Sequence, residues 1–383
     1  MNILHLRSRR ATVCLLLLAF SATGLKADNP LKIKFRTRAL LDATVSGYGK
    51  EDVQGYYRLD DLRVGFQATY KSFMAKVDAG LEGGKCAVKD LLLSYKVNKN
   101  NTLILGNGYE PFSMDKLIST ASRSFLQPAA STLAYTNSRK FGATWHVHLP
   151  HWYLATGIYT HNDVNKLGKE QKNAFVSTSR AVWRTTPWGE HSLLQVGGAF
   201  SYRSREKNTD HTPVGSLSSD GITTLFDIPL LKASIPDMGS EVKGLLELLC
   251  LGSRAMLQAE YYADRMNRTG GNPAYRAHGG YVLGGFLLKG RHFEYDAKTA
   301  VPGRPISPRA LLLTARLDYA DANDSRAGIY GGRTADVSLG ISYYLNRYIG
   351  FKLNGSYVWV DGHCNEFYQK DFFLAQMRVQ YIF

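Results

Sequence analysis

The chain has 383 residues, carries 47 Lys plus Arg against 32 Asp plus Glu, and is 44% apolar and 12% aromatic. A mean hydropathy of -0.22, with no apolar run as long as the roughly 18 residues a spanning helix needs, excludes a helical membrane bundle. With 23 Tyr, 17 Phe and 5 Trp there is far too much surface to bury for a disordered chain.

Residues 1–27 read as a secretory signal peptide. Arg7, Arg9 and Arg10 form a basic start, Ala11 to Ala22 a short apolar stretch, and Leu25-Lys26-Ala27 ends in the small residue that signal peptidase needs. The remaining residues, 28–383, read as one domain with 43 Lys plus Arg against 32 Asp plus Glu. Cys86, Cys250 and Cys364 are scattered and odd in number, which is no disulfide framework.

From residue 28 onward the pattern is one of segments about ten residues long in which apolar and polar positions alternate. Leu62, Val64, Phe66, Ala68 and Tyr70 share one face of a strand, with Arg63, Gly65, Gln67 and Thr69 on the other. The last segment does the same, with Phe373, Ala375, Met377, Val379, Tyr381 and Phe383 opposite Gln376, Arg378 and Gln380. Sixteen strands are predicted, near 32–42, 57–70, 73–82, 88–97, 101–110, 139–149, 152–161, 174–184, 192–203, 241–250, 254–264, 280–290, 309–319, 334–345, 348–360 and 370–383. Short joins such as 71–72 and 346–347 alternate with long ones at 43–56, 111–138, 161–173, 204–240, 265–279, 320–333 and 361–369. That parity, the even strand count, the aromatics at strand ends and the terminal Phe383 predict a transmembrane antiparallel β-barrel of a bacterial outer membrane. The apolar faces then meet lipid and the polar faces line the lumen.

Several strings along the chain resemble one family, the phosphate-selective porins O and P. They are Asp61-Leu62-Arg63-Val64-Gly65, Lys89-Asp90-Leu91-Leu92-Leu93-Ser94-Tyr95-Lys96, Leu105 to Ser113 with its Glu110-Pro111-Phe112-Ser113 end, and Ser138-Arg139-Lys140-Phe141-Gly142. Toward the C-terminus come Leu257-Gln258-Ala259-Glu260-Tyr261 and Thr334 to Asn346. The resemblance implies a trimeric barrel that passes inorganic anions, narrowed by segments folded into the lumen. It places the constriction at 111–138, with Lys116 and Arg123. A second inward segment falls at 204–240. A long turn entering from the other end falls at 291–308, which holds Arg304.

An anion pore needs several cations at neighbouring positions, so that ions are held weakly and move on. Arg suits phosphate because its planar fork donates two hydrogen bonds and keeps its charge. Alternation predicts Lys34, Arg36 and Arg38 on one lumen face, followed by Arg63, Arg180, Arg184, Arg316, Lys352 and Arg378. Each competes with an ordinary role in ion pairs, for which Asp42, Asp60, Asp61, Asp78, Asp90 and Glu260 are at hand. The expected cargo is phosphate or a similar small anion. The expected partners are two further copies of the chain and outer-membrane lipid with lipopolysaccharide, and no nucleic acid. The alternatives are a general diffusion porin and a plugged structural or adhesin barrel. No enzyme signature stands out: His146, His148 and His151 have no neighbouring carboxylate or Cys, and there is no G-x-S-x-G elbow. No metal or cofactor is expected.

Overall fold

The computed structural model describes residues 31–47, 53–82, 85–166, 174–206, 213–223, 229–364 and 371–383; the signal peptide expected at 1–27 lies outside them. Sixteen antiparallel strands close on themselves in the order β1-β2-β3-β4-β5-β6-β7-β8-β9-β12-β13-β14-β17-β18-β19-β20. They are Lys32–Gly47 (β1), Val53–Tyr70 (β2), Phe73–Glu82 (β3), Lys85–Lys96 (β4), Asn101–Gly108 (β5), Lys140–His148 (β6), Trp152–Thr160 (β7) and Phe175–Thr185 (β8). Then follow Leu193–Arg203 (β9), Met238–Leu251 (β12), Ala255–Arg268 (β13), Tyr275–Lys289 (β14), Ala310–Asp324 (β17), Ile329–Tyr344 (β18), Ile349–Val360 (β19) and Phe372–Ile382 (β20). Two small hairpins lie off the wall: Gly215–Ser219 (β10) with Leu231–Ile235 (β11), and Phe293–Asp296 (β15) with Val301–Pro305 (β16).

All sixteen predicted wall strands are present. The joins expected at 43–56, 265–279 and 320–333 are corrected: β1 runs on to Gly47, β2 begins at Val53, and β13, β14, β17 and β18 extend through most of the other two stretches. These extensions carry Arg265, Arg276 and Arg333 at outward positions, so they lose the apolar half of the alternation while keeping the ladder hydrogen bonds.

The barrel is inside out relative to a soluble sheet. Leu246, Ile158, Leu317 and Leu339 are more than 60% exposed on the outer face, whereas Arg180, Glu247, Asp318 and Arg378 are buried on the inner one. An outer band this apolar over a polar interior is the pattern of a transmembrane barrel. Closing the barrel pairs β1 with β20, so that each of the sixteen described wall strands has a neighbour on both sides.

Of the five register shifts in the described wall ladders, two bear on the lining of the lumen. In the β1–β2 ladder Leu40 pairs with Asp61 while Leu41 pairs with Leu59, so Asp60 is the extra residue. In β3–β4, Asp78 pairs with Asp90 and Ala79 with Val88, leaving Lys89 extra. An extra residue re-aims its side chain, and here Asp60 joins Asp61, and Lys89 joins Asp90, in the lining of one cavity.

Candidate functional site

The lumen is divided. One side is filled by chain segments pinned to β8, β9, β12, β13, β14 and β17 to β20, and the other, along β1 to β4, is open.

The filling begins with residues 109–139, which turn inward after β5 and form two short helices, α1 (Met114–Leu117) and α2 (Ala130–Tyr135). The first amides of a helix have no partner inside it, and wall carboxylates supply them. Ser113 caps α1, its Oγ accepting from Lys116 N at 3.1 Å. Glu260 on β13 accepts from Met114 N at 2.6 Å, Asp115 N at 3.0 Å and Ser113 Oγ at 3.1 Å. Ala129, before α2, has no capping side chain of its own, and Asp318 on β17 takes Ala130 N and the Ser131 hydroxyl instead. Negative charge beside a helix N-terminus is also favoured by the peptide dipoles. Farther along, Phe125 packs where Gly340 leaves space: a Cβ at Gly340 would lie 3.3 Å from its ring. The β10–β11 hairpin covers α2, with Ser219 Oγ donating to Ala130 O at 2.9 Å. Leu217, Leu231 and Ala233 join the same buried apolar cluster as Tyr135 and Tyr275.

From the short-turn end the β15–β16 hairpin enters the lumen. Arg180 donates to Glu247 at 2.8 Å and to the carbonyls of Thr299 and Ala300 at 2.7 and 2.8 Å. Arg184 donates to Ala297 O at 2.9 Å, and Tyr295 Oη donates to Gln195 at 2.6 Å.

The open side is a cavity of about 1380 Å³ whose lining runs from Ile382 and Phe383 at the turn end to Asp220 in the long connection between β9 and β12. Nine cations (Arg36, Arg38, Arg58, Arg63, Lys76, Lys89, Lys116, Arg123 and Arg139) face five carboxylates (Asp60, Asp61, Asp78, Asp90 and Asp220). Arg38 and Arg63 are directly opposed in register, and Asp61 reconciles them by accepting from Arg38 and, at 3.1 Å, from Arg63. Asp78 lies 3.2 Å from Lys76 and 3.9 Å from Arg36. Gly65 makes that possible, since a Cβ there would stand 2.0 Å from Asp78 Oδ1. Asp90 binds Lys76 at 2.6 Å and Arg139 at 2.7 Å.

Against this wall the inward segment presents Lys116. Its ammonium stands 5.5 Å from the Tyr109 ring centroid, and the Arg139 guanidinium stands 4.2 Å from the same ring. Among the described residues Lys116 has no carboxylate within ion-pair distance, because Asp115 is taken by Arg123 and by Ala129 N. Burial lowers the Lys116 ammonium below its usual range, and the nearby Arg123 and Arg139 lower it further. Burial works to raise the Tyr109 phenol, but Arg139, Lys116 and Arg123 outweigh it and the net shift is downward.

The sequence candidates therefore separate. Arg36, Arg38, Arg63, Lys116 and Arg123 line the cavity. Lys34 is exposed on β1 and does not line it, and Arg304 is half-buried on β16. Arg180 and Arg184 hold the entering hairpin. Arg316 donates to Gln127 O at 3.3 Å and stands 4.6 Å over the Phe125 ring. Lys352 donates to Ala121 O at 3.4 Å and to Arg123 O. Arg378 is held by Asp42 at 2.5 Å and Asp60 at 2.8 Å. Sequence reasoning missed Arg58, Lys76, Lys89 and Arg139 in the cavity, and Tyr109 beside them. Lys89 and Arg139 stand in the strings that carry the family resemblance, but a regular two-residue period sends Lys89 to the face opposite Asp90. His146 is hydrogen-bonded to Tyr153 Oη at 3.0 Å, and no group of three His, Cys, Asp or Glu suited to a metal occurs among the described residues.

The model of the phosphate-selective porin O and P family matches residues 21–383. An uncharacterized protein of Caulobacter vibrioides is 26% identical over 277 residues, 66% of this chain and 53% of that protein, so the chain spans about half the length of the curated relative it matches. Among solved structures, OmpT of Vibrio cholerae superposes with a TM-score of 0.59 at 11% identity, covering 94% of this chain and 100% of that one. The anion-selective porin of Comamonas acidovorans gives 0.58 at 8%, covering 92% and 100%. The outer-membrane channel DcaP of Acinetobacter baumannii gives 0.56 at 11%, covering 94% and 100%. These likenesses establish the porin fold. With a family match over nearly its whole length, the chain belongs to the phosphate-selective porin O and P family.

Proposed function

We propose that this protein is a passive, anion-preferring channel of the bacterial outer membrane, carrying phosphate or similar small anions, and not an enzyme. The observation that carries the reading is the open half of the lumen, where nine cations face five carboxylates and Lys116 has no carboxylate partner. A positive lining between low-dielectric walls concentrates anions, and cations at several neighbouring positions hold them weakly enough to leave. Residues 1–27 act as the export signal and are removed. The working unit is a homotrimer, a reading supported by the trimer form of the OmpT neighbour. Arg36, Arg38, Arg63, Lys116 and Arg123 form the anion path together with Arg58, Lys76, Lys89 and Arg139. Arg180, Arg184, Arg316, Lys352 and Arg378 contribute by fixing the segments that shape it.

The test is the reversal potential of purified trimers in planar bilayers under a chloride gradient, followed by titration of the current with phosphate. Anion preference with block at low phosphate is expected, and cation preference overturns the reading. General diffusion with little preference is favoured by one observation, that Arg38, Arg63, Lys76 and Arg139 each have an aspartate partner. Large conductance without block would decide for it.

A further inference from the structure

The outward face of β13, β14 and β17 carries a charge arrangement that the lumen does not use. Arg265 on β13 and Arg276 on β14 are directly opposed in register, and both are exposed. Like charges opposed across a ladder repel, yet neither guanidinium has a carboxylate partner among the described residues. Arg265 Nε donates to Asn267 Oδ1 at 3.1 Å, and Asp324 accepts the backbone amide of Arg276 at 2.7 Å, not its side chain. Toward the middle of the barrel the next outward row is Ala263, His278 and Asp321, and the row after it holds Tyr261 and Tyr319, with Tyr319 Oη donating to Asp321 at 3.1 Å. His278 sits between Tyr261 and Tyr319, with ring centroids 6.2 and 5.9 Å away. Such amphipathic rings mark the level at which hydrocarbon gives way to headgroups. Directly inward of that row lies a groove of about 570 Å³, lined by Leu246, Ala259, Tyr261, Val282, Leu317 and Tyr319 and floored by Gly280. The order along the wall is therefore two arginines without a carboxylate partner, a level of His278 and the two tyrosines at which Asp321 is held by Tyr319, and an apolar groove.

We propose that this column is a docking site for a phosphorylated, acylated glycolipid of the outer leaflet, with a phosphate bridging Arg265 and Arg276 and an acyl chain in the groove. The inference rests on the outer-membrane reading above. Two forks opposed across a ladder can each donate two hydrogen bonds to one phosphate, which turns a repulsive pair into a bridged one. Arg265 and Tyr261 are four residues apart, about 13 Å along a strand, a distance that a headgroup and a leaning guanidinium together span. The groove distinguishes a lipid from a free phosphate ion, which has no use for it.

Trimers extracted from outer membranes in mild detergent should retain the glycolipid, counted by native mass spectrometry. R265Q/R276Q should reduce the retained lipid about tenfold, R265K/R276K should keep most of it, and Ala259→Leu, which fills the groove, should also reduce it. Equal retention in R265Q/R276Q overturns the site. So does displacement of the lipid by inorganic phosphate together with normal retention in Ala259→Leu, because that combination describes an ion site alone. Conductance and reversal potential of the same preparations should not change, so a failure of the channel reading shows there and a failure of the lipid site shows only in the lipid count.

Discussion

The two halves of the lumen use the same residue types to opposite ends. On the filled side the charges that hold the inward segments meet partners fixed in place: Arg180 and Glu247 are both fully buried and bind each other, Arg180 also binds the carbonyls of Thr299 and Ala300, and Glu260 and Asp318 close the starts of two helices. On the open side the cations outnumber the carboxylates, and the aspartates are shared between them. Under the proposed anion channel, what separates a wall-building arginine from an anion-binding one is not the presence of arginine but whether its donors are saturated by rigid acceptors. A saturated fork holds a wall together, and a shared one keeps donors for a passing anion.

The largest effect expected from breaking this division is at Arg180. Arg180→Met leaves Glu247 buried without its ion pair, which should cost about 3–5 kcal/mol and lower the temperature at which the folded trimer dissociates on gels. A trimer with unchanged heat resistance would show that the entering hairpin is held elsewhere. Next comes release of the inward segment. The double variant E260Q/D318N removes the carboxylates that serve α1 and α2, a loss of roughly 1 kcal/mol for each cap. It should raise single-channel conductance and weaken anion preference, because the segment carrying Lys116 no longer has a fixed place. Unchanged conductance would mean that the apolar contacts of Phe125 and Tyr135 suffice.

The wall was legible in the sequence because a half-wet sheet writes its two faces into every second residue, and all sixteen strands follow from that. The resemblance names 111–138, 204–240 and 291–308 as inward segments, and the two short helices and the β10–β11 and β15–β16 hairpins lie within those stretches. What alternation could not show was the division of the lumen. Arg180 and Arg36 stand on equivalent inward faces, and only the long-range partner tells them apart: Glu247 is 67 residues from Arg180, and Asp318 is 187 residues from Ser131. The bulges at Asp60 and Lys89 hid Arg58 and Lys89 from the lining, since one extra residue inverts the parity on which the reading depends. The strand extensions around Arg265 and Arg276 read as loops because their outward positions are charged.

Within the open half, Lys116 is the cation with fewest fixed partners, so Lys116→Glu should move the reversal potential toward cations by an amount corresponding to about 1 kcal/mol, roughly fivefold in permeability ratio. The wild-type protein should do part of this on its own with alkali. A lowered lysine loses its proton at a lower pH than an ordinary one, and a lowered tyrosine becomes negative earlier. Both changes subtract positive charge, so anion preference should be full near neutrality and decline as pH rises below the usual lysine range. Lys116→Arg should retain more of the preference at about pH 10 than the wild type does. Parallel pH profiles in the two proteins would remove Lys116 from the anion path.

The smallest effect is also the sharpest test of saturation as the criterion. Arg36 is 49% exposed and stands 3.9 Å from an aspartate already held by Lys76, whereas Arg38 is 12% exposed and bound to Asp61. Arg36→Gln removes a cation whose donors are mostly unused, so its loss should fall on transport: a small drop in anion preference, within about twofold at physiological salt, with unchanged heat resistance. Arg38→Gln deprives Asp61 of one partner while Arg63 remains, so the remaining pair tightens and Arg63 becomes less available to ions. The two variants remove the same charge from neighbouring inward positions of one strand. If charge alone governs selectivity, their reversal potentials should coincide. If donor availability governs it, Arg38→Gln should lose more anion preference than Arg36→Gln, and the double variant should lose more than either.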